Sequence, residues 1–196
     1  MTVILASKSA ARRAVLDGAG VAYEATVAGV DEDTVKASLL TEGHGPREIA
    51  DALAELKAIR VSRARPGLVI GSDQTLDLDG ALYDKAEDIA AARERLTLLR
   101  GKTHRLHSAV VVAKDGAPIW RELVTAQLTM RDFSDAFLEQ YLATEGPHAL
   151  GSVGCYRLEG PGAQLFSKIE GDYFAILGLP LMGLMDLLRR HGELTA

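Results

Sequence analysis

Val3-Ile4-Leu5-Ala6-Ser7-Lys8-Ser9-Ala10-Ala11-Arg12-Arg13 passes from a short apolar run straight into two hydroxyls, a lysine and a pair of arginines. The run reads as a buried strand, and Ser9 has the chemistry of a helix N-cap, with Gly18 or Gly20 closing the helix. A strand that feeds a helix through small hydroxyl residues presents free backbone N–H groups and the positive end of the helix dipole. Ser7 and Ser9 add donors, and the planar fork of Arg12 suits an oxyanion. The same residues serve equally as a capped surface helix with solvated arginines. Taken alone, the stretch leaves both readings open.

Working outward, Tyr23–Val27 reads as a second short strand and Asp31-Glu32-Asp33 as a loop after it. Pro46 opens a long helix in which Ile49, Leu53 and Leu56 recur near helical spacing. Gly67-Leu68-Val69-Ile70 is another buried strand, leading to Ser72-Asp73-Gln74, and Asp79-Gly80 is a two-residue hairpin signal. Glu87-Asp88 caps a helix that stops at Gly101, and strands Thr103–Ala113 and Ile119–Met130 turn at Asp115-Gly116. Ser134 opens a helix ended by Gly146-Pro147, Gly151–Tyr173 reads as strand–loop–strand, and Gly178-Leu179-Pro180 starts a last helix. Hairpins alternating with helices predict an α/β fold with a mixed sheet.

The chain has 196 residues, enough for one large domain or two small lobes with a shared core. A net charge of -5 argues against a protein that coats nucleic acid, because that task needs a basic surface. It leaves room for a small anion in a local basic pocket. Cys155 is the single cysteine, so neither an internal disulfide nor a thiolate zinc cluster is available. The apolar stretch Ala175–Met185 falls short of the ~20 residues of a membrane helix, and no leader-like segment opens the chain. A cytoplasmic protein without membrane or nucleic-acid partners is expected.

Three further groups carry chemistry. Asp73, just past a buried strand, sits where open α/β sheets place ligands. Counting outward from Asp79-Gly80 pairs Leu78 with Ala81, Leu76 with Tyr83 and Gln74 with Lys85, which brings Lys85 close to Asp73. An exposed cross-strand pair fits that count as well. Asp31-Glu32-Asp33 offers oxygen ligands for a hard cation, though acidic triplets also occur simply as solvated loops. Lys57 lies at the edge of the buried helix face, either snorkelling or pointing into a cleft. His104 and His107, three apart on a strand, point to opposite faces and cannot share a metal. Cations, two acidic sites and a helix N-terminus together suit metal-assisted hydrolysis of a polyphosphate.

In their order, Ala6-Ser7-Lys8-Ser9-Ala10-Ala11-Arg12, Val30-Asp31-Glu32, Leu56-Lys57-Ala58, Ile70-Gly71-Ser72-Asp73-Gln74 and Lys85 resemble the Maf family of nucleoside triphosphate pyrophosphatases. The likeness continues through Leu99–His104, Gly154–Gly160 and Gly178-Leu179-Pro180, so it covers nearly the whole chain. It implies a Maf/ITPase-like two-lobed α/β fold over residues 1–196, a mixed twisted sheet flanked by helices around a central cleft, usually as a homodimer. It implies hydrolysis between the α and β phosphates with a divalent metal, magnesium or manganese. By position, Asp73 would accept the proton of water and Glu32 with Asp73 would hold the metal. Ser7, Ser9, Arg12, Lys57 and Lys85 would bind phosphate, with Lys85 also counted among the catalytic groups. The chain departs from the family pattern at Ala10 and at Asp84 and Ala86, where proline and Gly-Lys-Pro are usual, and at Arg157, where glycine is frequent.

Positions matching Ala11, Gln74 and Glu159 influence base choice in that family, and the pair Gln74 and Glu159 resembles the branch acting on 7-methyl-GTP, which clears a modified nucleotide. A carboxylate accepts from the N–H edge of guanine, and methylation at N7 makes the base cationic, favouring an acidic pocket with an aromatic face such as Tyr156. Ala11 widens that pocket. The alternatives are a dTTP/UTP or other nucleotide pyrophosphatase, a metal-dependent phosphatase, and a nucleotide-binding regulator of cell division with little catalysis.

Overall fold

The computed structural model describes residues 2–195. In chain order its elements are β1 (Val3–Ala6), α1 (Ala10–Gly18), β2 (Glu24–Thr26), α2 (Glu32–Thr41), α3 (Pro46–Ser62), β3 (Leu68–Leu78) and β4 (Ala81–Tyr83). There follow α4 (Ile89–Leu99), β5 (Thr103–Lys114), β6 (Ala117–Met130), α5 (Asp135–Glu145), β7 (Phe166–Glu170), α6 (Tyr173–Ile176) and α7 (Met182–Arg190). Short 3₁₀ turns occupy Gly146–Gly151 and Pro161–Leu165. The expected mixed α/β architecture is present. No helix among the described residues is long and apolar enough to cross a membrane.

One sheet runs β2-β1-β3-β5-β6-β7, with β4 paired to β3. β1 lies parallel to both β2 and β3, and every pairing from β3 onward to β4, β5, β6 and β7 is antiparallel. β3 carries the change of direction. Its first residues pair with β1, up to Leu5 opposite Ile70, while β5 runs beside it from Val69 to Asp77. The strand expected over Gly67–Ile70 therefore continues unbroken through Asp73, which lies inside β3 rather than past its end. Asp73 lies beyond the pairing with β1, the shorter neighbour, whose last paired residue is Leu5 opposite Ile70.

Side-chain parity explains the layers. Val3, Leu5, Leu68, Ile70, Val110 and Val112 pack with Val15 and Leu16 of α1 and Leu184 and Leu188 of α7. Ala109, Val111 and Ala113 face Ala50, Ala54 and Ala58 of α3. Small residues let α3 come very close: a Cβ on Gly71 would meet the Ala54 carbonyl oxygen at 2.2 Å and the Ala58 nitrogen at 2.6 Å. Farther along β3, Leu76 and Leu78 join Leu96, Leu99, Leu106, Leu128, Phe133 and Leu142 beneath α4 and α5.

The predicted caps are formed. Ser9, Asp88 and Ser134 each accept a hydrogen bond from the backbone N–H three residues on. The hairpin at Asp79-Gly80 has φ of 54° and 85°, as a turn with both central residues left-handed requires, and pairs Leu78 with Ala81 and Leu76 with Tyr83. β4 ends there, so the expected pairing of Gln74 with Lys85 does not occur; Gln74 lies opposite Ser108 of β5. Two other expectations are corrected. Glu32 and Asp33 form the first turn of α2, capped by the Asp31 side chain, instead of lying in a loop. Gly151–Tyr173 holds one strand, β7, after 3₁₀ and irregular turns, because its glycines and Pro161 break the first half.

Candidate active site

Ser7 and Ser9 follow β1 at the entrance to α1. The Ser7 hydroxyl accepts from the Ser9 N–H and from Arg12 Nη1, both at 3.2 Å, and the Ser9 hydroxyl accepts from the Arg12 N–H at 3.4 Å. Arg12 is buried, with Nε donating to the Gly178 carbonyl at 2.8 Å. That carbonyl also accepts from the Ser72 hydroxyl at 2.9 Å. Burial lowers the Arg12 guanidinium below its ordinary value, and the charges of Asp73 and Glu32 act in the opposite sense.

Lys57, projecting from α3 where Gly71 admits the helix backbone, donates to Asp73 Oδ1 at 2.7 Å and lies 2.9 Å from Glu32 Oε1. Its side chain is 7% exposed, so it does not snorkel to the surface but turns inward onto two carboxylates. Lys85, just after β4, lies near enough to Arg12, Asp73, Glu32 and Lys57 for each of those charges to act on it. Partial desolvation, then the Arg12 charge, lowers its ammonium below the ordinary lysine value, while Asp73 and Glu32 oppose the change. Among the described residues no hydrogen bond or ion pair engages that ammonium. Five charged groups expected from the sequence, Arg12, Glu32, Lys57, Asp73 and Lys85, thus gather at one place.

Among the described residues no cluster of three or more His, Cys, Asp or Glu side chains is arranged to hold a metal. Two carboxylates, from Asp73 and Glu32, meet on one ammonium. Such a pair suits magnesium, which characteristically takes one or two carboxylates and completes its shell with phosphate oxygens and water.

Beside α1 lies a cavity of about 500 Å³, lined by Ala11, Val15, Glu159, Tyr173, Phe174 and Met182 among others. Ala11 and Glu159 both line it, whereas Gln74 is not part of its wall. The Gln74 amide donates to the Ser108 hydroxyl at 2.9 Å and to the Ala175 and Ile176 carbonyls at 3.0 Å. It therefore braces α6, the short helix carrying Tyr173 and Phe174. Tyr156, expected as the aromatic face, is buried in the core, with its hydroxyl 2.6 Å from His104 Nε2. Cys155 has φ of 61°, which turns the chain and sends the next side chain inward. Tyr173, 48% exposed, takes the cavity position instead; its place between Asp172, which caps α6, and the Gly178-Leu179-Pro180 segment was the available signal.

A second residue was missed. Lys36 of α2 donates to Asp84 Oδ1 at 2.5 Å and lies 3.6 Å from Asp33. Asp84 is the departure next to Lys85, and its carboxylate is engaged by Lys36. Arg157, another departure, forms an ion pair with the buried Glu145 carboxylate and thereby ties the segment leading to Glu159 back to α5.

The fold thus sets three cations and two carboxylates at one place, with an apolar cavity beside α1. A family model described as Maf-like protein matches residues 2–191, and the chain belongs to the Maf family. It is 63% identical over 193 residues to a nucleoside triphosphate pyrophosphatase of Caulobacter vibrioides, covering 98% of this chain and 97% of that protein. It is 55% identical to a protein of the same name from Granulibacter bethesdensis over the full length of both. A 7-methyl-GTP pyrophosphatase of Brucella abortus is 50% identical, with 97% of this chain and 98% of that protein covered.

Proposed function

We propose that the chain is a nucleoside triphosphate pyrophosphatase, a hydrolase of acid anhydrides that converts a nucleoside triphosphate and water into the monophosphate and pyrophosphate, with 7-methyl-GTP as its preferred nucleotide. The observation that carries this reading is the Lys57 ammonium shared by Asp73 and Glu32, with Arg12 and Lys85 at the same place. In this reading residues 1–196 are one domain whose two lobes bound the cleft.

Asp73 Oδ accepts the proton of the attacking water as its oxygen forms a bond to the α phosphorus. The bond from that phosphorus to the bridging oxygen breaks, and pyrophosphate leaves with the electron pair. Lys57 fixes the direction of the Asp73 carboxylate. Arg12, with the hydroxyls of Ser7 and Ser9, holds the triphosphate, and Lys85 supplies positive charge to the leaving phosphates. Placing these charges before reaction lowers the barrier without reorganisation during it. Glu32 and Asp73 would hold a divalent cation, which when bound neutralises charge on the phosphate oxygens.

Glu159 at the cavity mouth and the Tyr173 ring support the choice of base. The carboxylate accepts from the N–H edge of guanine, and the aromatic face attracts the cationic N7-methylated ring. Gln74 influences base choice through α6, by holding the Ala175 and Ile176 carbonyls. The family resemblance adds a cytoplasmic homodimer to this reading, and the mass of the particle in solution checks the dimer.

Steady-state kinetics with 7-methyl-GTP, GTP, dTTP and UTP, with magnesium or manganese present, tests the proposal. The expected result is the highest kcat/KM for 7-methyl-GTP with pyrophosphate as product, and a reduced preference over GTP in Glu159→Gln and Tyr173→Leu. Preference for dTTP or UTP overturns the base assignment. Orthophosphate as product points instead to a phosphatase, and nucleotide binding without turnover to a regulator.

A further inference from the structure

α2 is a helix without a fully buried anchor, its apolar Val35 and Leu39 being only half-buried. None of its residues from Glu32 to Thr41 is buried. A helix this short holds its place through tertiary contacts rather than intrinsic propensity, yet α2 carries Glu32, whose carboxylate must stay opposite Asp73. Glu32 and Lys36 are four residues apart and share one face of the helix. The first meets Lys57 at 2.9 Å and the second meets Asp84 at 2.5 Å.

We propose that the Lys36–Asp84 ion pair is a tether that positions Glu32 in the cleft, which makes Lys36 a positioning residue of this site. The proposal rests on the reading of Glu32 given above. The far end of the tether is firm, because Arg95 Nη1 donates to the Asp84 carbonyl and to the Val153 carbonyl, both at 2.8 Å. The near end is sheltered, with the Lys36 side chain 15% exposed against 58% for Asp84. Burial works against the Lys36 charge, and the bond to Asp84 with the nearby Asp73 and Asp33 more than offsets it, holding the ammonium above its ordinary value. Asp84 is one of the positions at which the chain departs from the usual family pattern.

An ion pair at the surface of a well-anchored helix contributes little. Here the competing terms are small as well, and a small term decides where the helix sits. Through Asp84 the tether also joins α2 to the residue before Lys85. One contact thus sets the spacing between an acidic and a basic group of the same cleft.

The test compares Lys36→Met, Asp84→Ala, the double variant and Lys36→Arg by hydrogen exchange and by manganese binding without nucleotide, followed by electron paramagnetic resonance. Each single loss is expected to speed exchange in residues 32–41 and to weaken manganese binding about two- to fivefold, the range an ion pair of this exposure supports. The double variant should be no worse than either single one, and Lys36→Arg should restore both readouts. Unchanged exchange in α2, or losses that multiply in the double variant, overturns the tether. Hydrogen exchange decides this whether or not the chain releases pyrophosphate, so failure of the hydrolase reading is seen separately, as wild-type protein without turnover.

Discussion

Arg12 Nε donates to the backbone carbonyl of Gly178 across 2.8 Å, joining the first helix to a turn 166 residues later. The bond uses one side of the guanidinium fork for structure and leaves part of the other side for an anion. Gly178 has φ of +97°, a conformation that a side chain strains, and it lets the carbonyl face Arg12.

Replacing this glycine should therefore act on substrate binding. Gly178→Ala is expected to cost about 1–2 kcal/mol of stability through backbone strain. It should also raise KM for the nucleotide several-fold with a smaller change in kcat, since Arg12 loses its fixed direction. Urea denaturation with initial-rate kinetics measures both, and an unchanged KM would show that Arg12 holds its orientation by other means.

Removing either partner of the Lys57–Asp73 pair should give opposite patterns. Asp73→Asn leaves the Lys57 ammonium with Glu32 at 2.9 Å. Folding should survive while kcat drops by ~10²–10⁴, the usual share of a general base. Lys57→Met removes the ammonium that the Asp73 and Glu32 carboxylates share, and a stability loss of about 3 kcal/mol is expected alongside loss of turnover. Thermal melts and pyrophosphate release distinguish the two; near-normal activity in Asp73→Asn would place the base elsewhere.

Lys85 sets the alkaline limit. Its ammonium is lowered below 10.5 by desolvation and then by Arg12, so the charged form that binds phosphate is lost as pH rises through this lowered value. kcat/KM, which reports the free enzyme, should fall on that limb below 10.5; kcat should fall at higher pH, because bound phosphate holds the proton on. The stability sign is separate. The folded state penalises the charged amine, and the penalty fades as pH rises toward 10.5. In Lys85→Arg the alkaline limb of kcat/KM should move upward, and a limb that stays in place would assign the titration to another group.

Much of this arrangement was legible in the sequence, and for identifiable reasons. Ser9, Asp88 and Ser134 cap because their chemistry is local, and Asp79-Gly80 sets its own hairpin register. Arg12 and Asp73 stood out beside apolar strands, Lys57 at the edge of a helix face, Glu32 in an acidic triplet and Lys85 near a hairpin, and the family resemblance gave them their expected roles. The continuation of β3 through Gly71-Ser72-Asp73 was hidden: polar residues break an apolar pattern, and pairing with β5 maintains the strand. α2 was hidden for the opposite reason, having no buried face to impose a period. Tyr156 misled because Cys155 turns backward at φ 61°, a conformation that side-chain type does not announce.

The Gly178 carbonyl holds both Arg12 and Ser72. Translation makes the residues that would grip the triphosphate early and their brace late. The Gly178 carbonyl thus ties a late-made turn to residues made well before it, and a chain ended before Gly178 would lack that brace.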